Sequence, residues 1–241
     1  MLNKRGQITI FIIVAILIIG AVALFFTLRG NLQISKPSNP EVAPIKNFVD
    51  ECIDGVGEEV IYNVGQSGGY YFPPEKSTET GITYYLINNK SYMPSKEKVE
   101  SEISFFVSNK LFFCTRNFVD FPEYEISQGK IRTETEILEN EVVLNVEYPL
   151  SIKKGESVSK IKDFEIEIPI RTGLVYDSVS GFIAENNEQG ICLSCLSNIS
   201  ETHDLFVDMF DYDNETIIFI FKDENSIINE KPFEWVFANK Y

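Results

Sequence analysis

Histidine is nearly absent from this chain: His203 is the only one in 241 residues. That removes most hydrolase and metal-centre designs. A Ser-His-Asp triad would have to recruit His203 with an acid such as Asp204, and no Gly-x-Ser-x-Gly elbow presents a serine to it. His203 therefore reads as a loop residue between Ser200 and a strand beginning near Leu205. Basic residues are scarce as well. Beyond Arg29 the chain carries 18 of them against 36 acids, a net charge of −18. Such a surface repels nucleic acid and anionic headgroups, so no nucleic-acid partner is expected. Phosphate-cradling loops are missing too: Gly65-Gln66-Ser67-Gly68-Gly69 follows a helical pattern instead of preceding one, and so reads as a C-cap and turn. No cofactor and no catalytic residue is implied. Past Ile45 there is no further apolar run of membrane length.

One such run is present. Ile8 to Leu28 is interrupted only by Thr9, Gly20 and Thr27, with Lys4 and Arg5 before it and Arg29 after it. As a helix rising about 1.5 Å per residue, residues 8–28 reach about 31 Å, the hydrocarbon thickness of a bilayer. No acid occurs before Glu41, so the short basic tip is held on the cytoplasmic side and the remainder lies outside. Ala21-Val22-Ala23 has the small-x-small pattern of a secretory cleavage site, yet cleavage there would leave Leu24-Phe25-Phe26 as a greasy stub. An uncleaved anchor is the alternative.

A third fate comes from Lys4-Arg5-Gly6-Gln7 ahead of Ile8-Thr9-Ile10-Phe11, which resembles the class III signal of archaeal type IV pilin-like proteins. The resemblance implies cleavage between Gly6 and Gln7, after which the apolar helix stays attached. Counted from Gln7, the fifth residue is Phe11, where pilins usually carry Glu.

The four cysteines, outside a membrane, can oxidise. Cys52 and Cys114 each fall on the apolar face of a predicted helix, which favours a bridge between them. That leaves Cys192 and Cys195 as a local pair or as two thiols, although spacing alone allows three connectivities. Cys192-Leu193-Ser194-Cys195 also has the spacing of half a zinc ribbon or a redox dithiol. With no second cysteine pair, a closed zinc site would need His203 and a carboxylate, an uncommon ligand set, and a redox role requires an electropositive helix N-terminus, whereas Glu188 and Glu201 flank the motif. Asn89, Asn198 and Asn214 head glycosylation triplets. Asp208, Asp211, Asp213 and Glu215 crowd a predicted hairpin tip, raising calcium as a ligand, although the EF-hand glycine is missing and a polar loop is the simpler reading.

Residues 30–44, with Pro37, Pro40 and Pro44, read as a semi-rigid spacer. From Ile45 through Val49, Cys52, Ile53, Val56, Val60 and Val64 the apolar spacing is helical, and a second helix, capped by Ser95, carries Val99, Ile103, Phe106, Val107, Leu111, Cys114 and Phe118 on one face. A short hairpin around Asn88-Asn89 separates them. Period-two alternation over 131–137, 142–148 and 164–168 predicts a three-stranded antiparallel meander, and 173–185 a third helix. Strands follow at 205–210, 216–221 and 234–238. The pattern predicts one α+β domain over 45–241, with two or three helices packed on antiparallel sheet, behind a tip and transmembrane helix at 1–29.

The helix with Phe48-Val49 and Cys52, the turn at 65–70, the helix ending at Cys114 and the meander after it resemble a family of uncharacterised surface proteins of small-genome archaea that carry the same pilin-like leader. This resemblance spans residues 1 to 185 and implies topology, not activity. The function expected is that of a single-pass, membrane-anchored cell-surface protein with a structural, adhesive or binding role, contacting the bilayer through residues 8–28 and other envelope proteins or copies of itself. Alternatives are a pilin-like filament subunit and an extracytoplasmic thiol-disulfide protein using Cys192 and Cys195.

Overall fold

The computed structural model describes residues 42–185 and 190–241. Gly6, Gln7, the apolar run at 8–28 and nearly all of the 30–44 spacer lie outside the described residues. Among the described residues no helix is long and apolar enough to cross a membrane.

Helix α1 (Ala43–Gln66) begins inside the expected spacer, because Pro44 occupies its first turn, where the missing N–H has no intrahelical partner to lose. It buries Ile45, Val49, Cys52, Ile53, Val56, Val60 and Val64. Its end is a Schellman motif: the Gly69 N–H donates to Val64 O at 2.8 Å and the Gly68 N–H to Gly65 O at 3.2 Å. Gly68, at φ 61°, takes the left-handed conformation this turn requires. Strands β1 (Tyr84–Ile87) and β2 (Lys90–Ser91) form the hairpin across Asn88-Asn89. Both asparagines have positive φ (49° and 64°), as a tight two-residue turn demands. Helix α2 (Lys96–Thr115) starts where the Ser95 side chain accepts the Lys98 N–H, and buries Val99, Ile103, Val107 and Leu111.

Two sheets follow. In the first, β3 (Glu125–Gln128) and β4 (Arg132–Ile137) share one edge of β5 (Val142–Lys154), and β6 (Ser157–Ile168) runs along the other, all antiparallel. Pro149 sits inside β5 without an N–H to donate: the register against β6 shifts between Glu147 and Leu150, and on the opposite edge pairing passes from β4, at Glu147, to β3, at Leu150. The second sheet runs β2-β1-β9-β8-β7, with β7 Phe206–Asp211, β8 Thr216–Ile228 and β9 Lys231–Lys240. It is mixed, not antiparallel as expected, because β1 pairs parallel to β9. Hairpin signals are local in sequence and carry no information about a pairing between Tyr84 and Ala238. Ile218 joins Val236 and Ala238 on one face of this sheet, while Phe219 and Phe221 face the main core, so β8 is covered on both sides.

Helix α1 lies against both sheets. Gly57 brings its backbone close to Leu144 and Ile168 of the first, and Gly65 to Phe233 and Glu234 of the second. Helix α3 (Thr172–Glu185) packs Phe182 against Phe219, Phe221 and Phe237. A further helix, α4 (Leu193–His203), makes four among the described residues and exceeds the two or three expected. Its sequence is rich in Ser, Thr and Asn, which are weak helix formers, and it buries only Leu196 and Ile199. His203 is accordingly the last residue of a helix and not a loop residue.

Candidate functional site

The site forms where α3 ends and α4 begins. Cys192 is the N-cap of α4, and its Sγ accepts the Cys195 N–H at 3.3 Å, the position a capping oxygen usually takes. Cys192 and Cys195 are joined in a disulfide, with Cα atoms 5.2 Å apart. Both are half-buried, while Leu193 and Ser194 between them are exposed. Glu185, the last residue of α3, places Oε2 2.9 Å from Cys195 Sγ. Ligand atoms of Glu185, Cys192 and Cys195 all lie within 4.8 Å of one another.

From Cys195 a groove of about 390 Å³ runs between α3 and α4, lined by Glu139, Asp177, Glu185, Asn198 and, at its far end, His203. Among the described residues no lysine or arginine lines it; Asp177 pairs with Lys96 at 3.0 Å. Cys195 and His203 are eight positions apart on α4, about 12 Å along the axis, which places the imidazole too far from the sulfur to exchange a proton with it directly.

An ion pair with a buried acid links the start of α3 to the end of α4. Arg171, just before α3, donates through Nε to Asp223 Oδ2 at 2.9 Å and through an Nη to Oδ1, and it also reaches the carbonyl oxygens of His203 and Asp204 at the end of α4. Asp223 is fully buried at the point where β8 bulges. Ser226 Oγ donates to it at 2.5 Å and the Asn225 N–H at 3.0 Å. Burial pushes the Asp223 carboxyl up. Hydrogen bonds from Arg171, Ser226 and the Asn225 amide, together with the Arg171 charge, outweigh burial and hold it below the usual carboxylate range.

The other residues singled out by sequence are dispersed. Cys52 and Cys114 form a disulfide joining α1 to α2, with Cα atoms 5.8 Å apart, remote in sequence from the α4 pair. Asn89, Asn198 and Asn214 are all exposed, in the β1–β2 turn, on α4 and in the β7–β8 turn. The four acids do not form one cluster. Asp208 and Asp211 belong to β7 itself, Asp213 Oδ1 accepts the Glu215 and Thr216 N–H groups, and Glu215 pairs with Lys240 at 3.1 Å. Those amides hold the exposed Asp213 carboxyl below its ordinary range, as expected of a turn-forming side chain. Among the described residues, the single group of three potential metal-ligating side chains is Glu185, Cys192 and Cys195.

Sequence reasoning identified neither Glu185 nor Arg171 and Asp223 as parts of this region. Glu185 precedes Cys195 by ten residues across an irregular connection, so no periodic spacing links them. No family model matches the chain, and neither a curated protein nor a solved structure matches it.

Proposed function

We propose that this chain is a single-pass, membrane-anchored cell-surface protein, its N-terminus cytoplasmic and its α+β domain displayed outside in a structural, adhesive or binding role. The observation that most supports an outward-facing domain is the cysteine chemistry. All four cysteines are paired, one bridge tying two core helices together, and such cross-links persist in oxidising compartments. The contact role draws support from Phe105, Phe112 and Phe113, exposed together along the outer side of α2, an apolar surface on an otherwise strongly acidic domain. A membrane-impermeant maleimide applied to intact cells after mild reduction tests the topology. Labelling at Cys192 and Cys195 is the expected result, and labelling only after cell lysis contradicts it.

A second reading is favoured by one feature of α4. A redox dithiol needs a helix N-terminus to stabilise its thiolate, and Cys192 occupies that position with its sulfur accepting a main-chain N–H. In this reading the Cys192 thiolate attacks an external disulfide, forming a mixed disulfide and releasing one external thiolate. The Cys195 thiol, beside Glu185, then loses its proton to the carboxylate and attacks Cys192, releasing the second external thiolate and regenerating the observed disulfide. Equilibration with graded mixtures of reduced and oxidised glutathione, followed by thiol trapping, is expected to show Cys192 and Cys195 exchanging reversibly with the circular dichroism unchanged. A pair that reduces only together with unfolding rejects this reading.

A further inference from the structure

We propose that, once reduced, Cys192, Cys195 and Glu185 bind a zinc ion through two thiolates and one carboxylate, leaving one coordination position open. The carboxylate contact points this way. Glu185 Oε2 is 2.9 Å from Cys195 Sγ, yet in the disulfide that sulfur has no proton to donate, so the oxygen and sulfur face each other without a hydrogen bond between them. Reduction changes the chemistry of the contact. An external dithiol converts the Cys192–Cys195 disulfide to two thiols and is itself oxidised to a disulfide. Zinc then displaces two protons as it binds both sulfurs.

The geometry suits a single ion. Ligand atoms bound to one tetrahedral zinc at about 2.0–2.3 Å lie within about 4 Å of one another, and the three side chains already bring their ligand atoms within 4.8 Å of one another. Cys192 and Cys195 lie one helical turn apart at the start of α4, and Glu185 approaches from the end of α3, so the ligands converge from two elements. Two features favour a cation. The adjoining groove bears Glu139 and the Lys96-paired Asp177, with His203 the sole basic side chain lining it among the described residues, and the exposed Leu193 and Ser194 leave the approach open. The mixed donor set selects the metal: copper(I) prefers soft sulfur ligands, whereas zinc accepts thiolate and carboxylate together. Three protein ligands with an open fourth position is the pattern of zinc sites that bind water or a further ligand.

The inference does not depend on disulfide exchange, because it concerns the reduced state alone. The full-length protein in detergent micelles is reduced with a phosphine, freed of reductant anaerobically and titrated with zinc against a chromophoric chelator. Cobalt replaces zinc in a parallel sample for its thiolate charge-transfer absorption. One equivalent is expected to bind the reduced protein and none the oxidised protein. The C192S/C195S variant, which retains Cys52 and Cys114, is expected to lose that equivalent and the cobalt–thiolate band. Glu185→Gln is expected to weaken binding at least tenfold, a loss seen even for residues that only orient a metal ligand. Equal zinc uptake by reduced wild type and C192S/C195S overturns the site. Unchanged affinity in Glu185→Gln overturns the three-ligand assignment. Unchanged circular dichroism in the variants establishes that the losses belong to the site and not to the fold.

Discussion

Replacing Arg171 by Met is expected to destabilise the domain by about 3–5 kcal/mol, because it leaves the Asp223 carboxylate buried without its counter-ion. For a domain of this size that corresponds to a fall in melting temperature of roughly 10 °C, at about 2–4 °C per kcal/mol. The penalty is large because Asp223 is wholly removed from water and its remaining partners, the Ser226 hydroxyl and the Asn225 amide, are neutral. Loss of Arg171 also releases the carbonyl oxygens of His203 and Asp204, so the α4 end is expected to exchange its amide protons faster. Linkage gives a second signature. The folded-state pKa of Asp223 is depressed, so its contribution is complete above the unfolded value of 3.8 and is lost as pH falls through the lower native value. Wild type is therefore expected to lose stability across that acidic window, and the Arg171→Met variant to lose much less of it there, because its advantage is already gone. Thermal melts of both proteins from neutral pH down to pH 2 check this, and a variant that melts with wild type at neutral pH contradicts the role given to the ion pair.

The two disulfides are expected to differ sharply in what they do for stability. The Cys52–Cys114 bridge closes 62 residues of sequence separation and sits between α1 and α2, with Cys52 only 4% exposed. By loop-closure entropy its removal costs about 4 kcal/mol, against about 2 kcal/mol for the short Cys192–Cys195 loop. The C52A/C114A variant also leaves a void at a buried helix contact. Chemical denaturation of C52A/C114A is expected to show a large fall in midpoint, and of C192S/C195S a small one. A cross-link whose closure adds little stability is better explained by chemistry at the sulfurs, which connects this prediction to both readings of the α4 site. Equal losses in the two variants contradict the division between a structural and a chemical bridge.

The parts of the fold legible in sequence are those specified by short-range chemistry. Apolar residues from Ile45 to Val64 recur at helical spacing because one side of α1 is dry, and Gly68 marks its end because a left-handed residue is needed there. Asn88 and Asn89 announce their hairpin for a similar reason, and Ser95 announces α2 by capping it. The parts not legible in sequence depend on partners far away in the chain. Helix α4 has little intrinsic helical tendency and is held by Leu196 and Ile199 against the core and by Arg171 at its end. Asp223 looks in sequence like the middle of a charged run, Lys222-Asp223-Glu224, at the close of an apolar strand, and becomes a buried anion only because Arg171, 52 residues earlier, reaches it. Strand β3 is four residues long with Ile126 its one apolar residue, so no alternation can show over it. The site itself was half visible. The CxxC spacing points to Cys192 and Cys195, but the helix N-terminus that gives those sulfurs a distinctive environment and the carboxylate beside them arise only from the packing of α3 against α4.

The claim that carries the proposed function is that residues 8–28 stay joined to the folded domain and hold it at the membrane. N-terminal sequencing of the native protein, recovered from carbonate-washed membranes, tests it most directly. The expected result is a membrane-bound chain beginning at Met1 or, after class III processing, at Gln7. A protein found in the aqueous fraction and beginning at Leu24 contradicts the account.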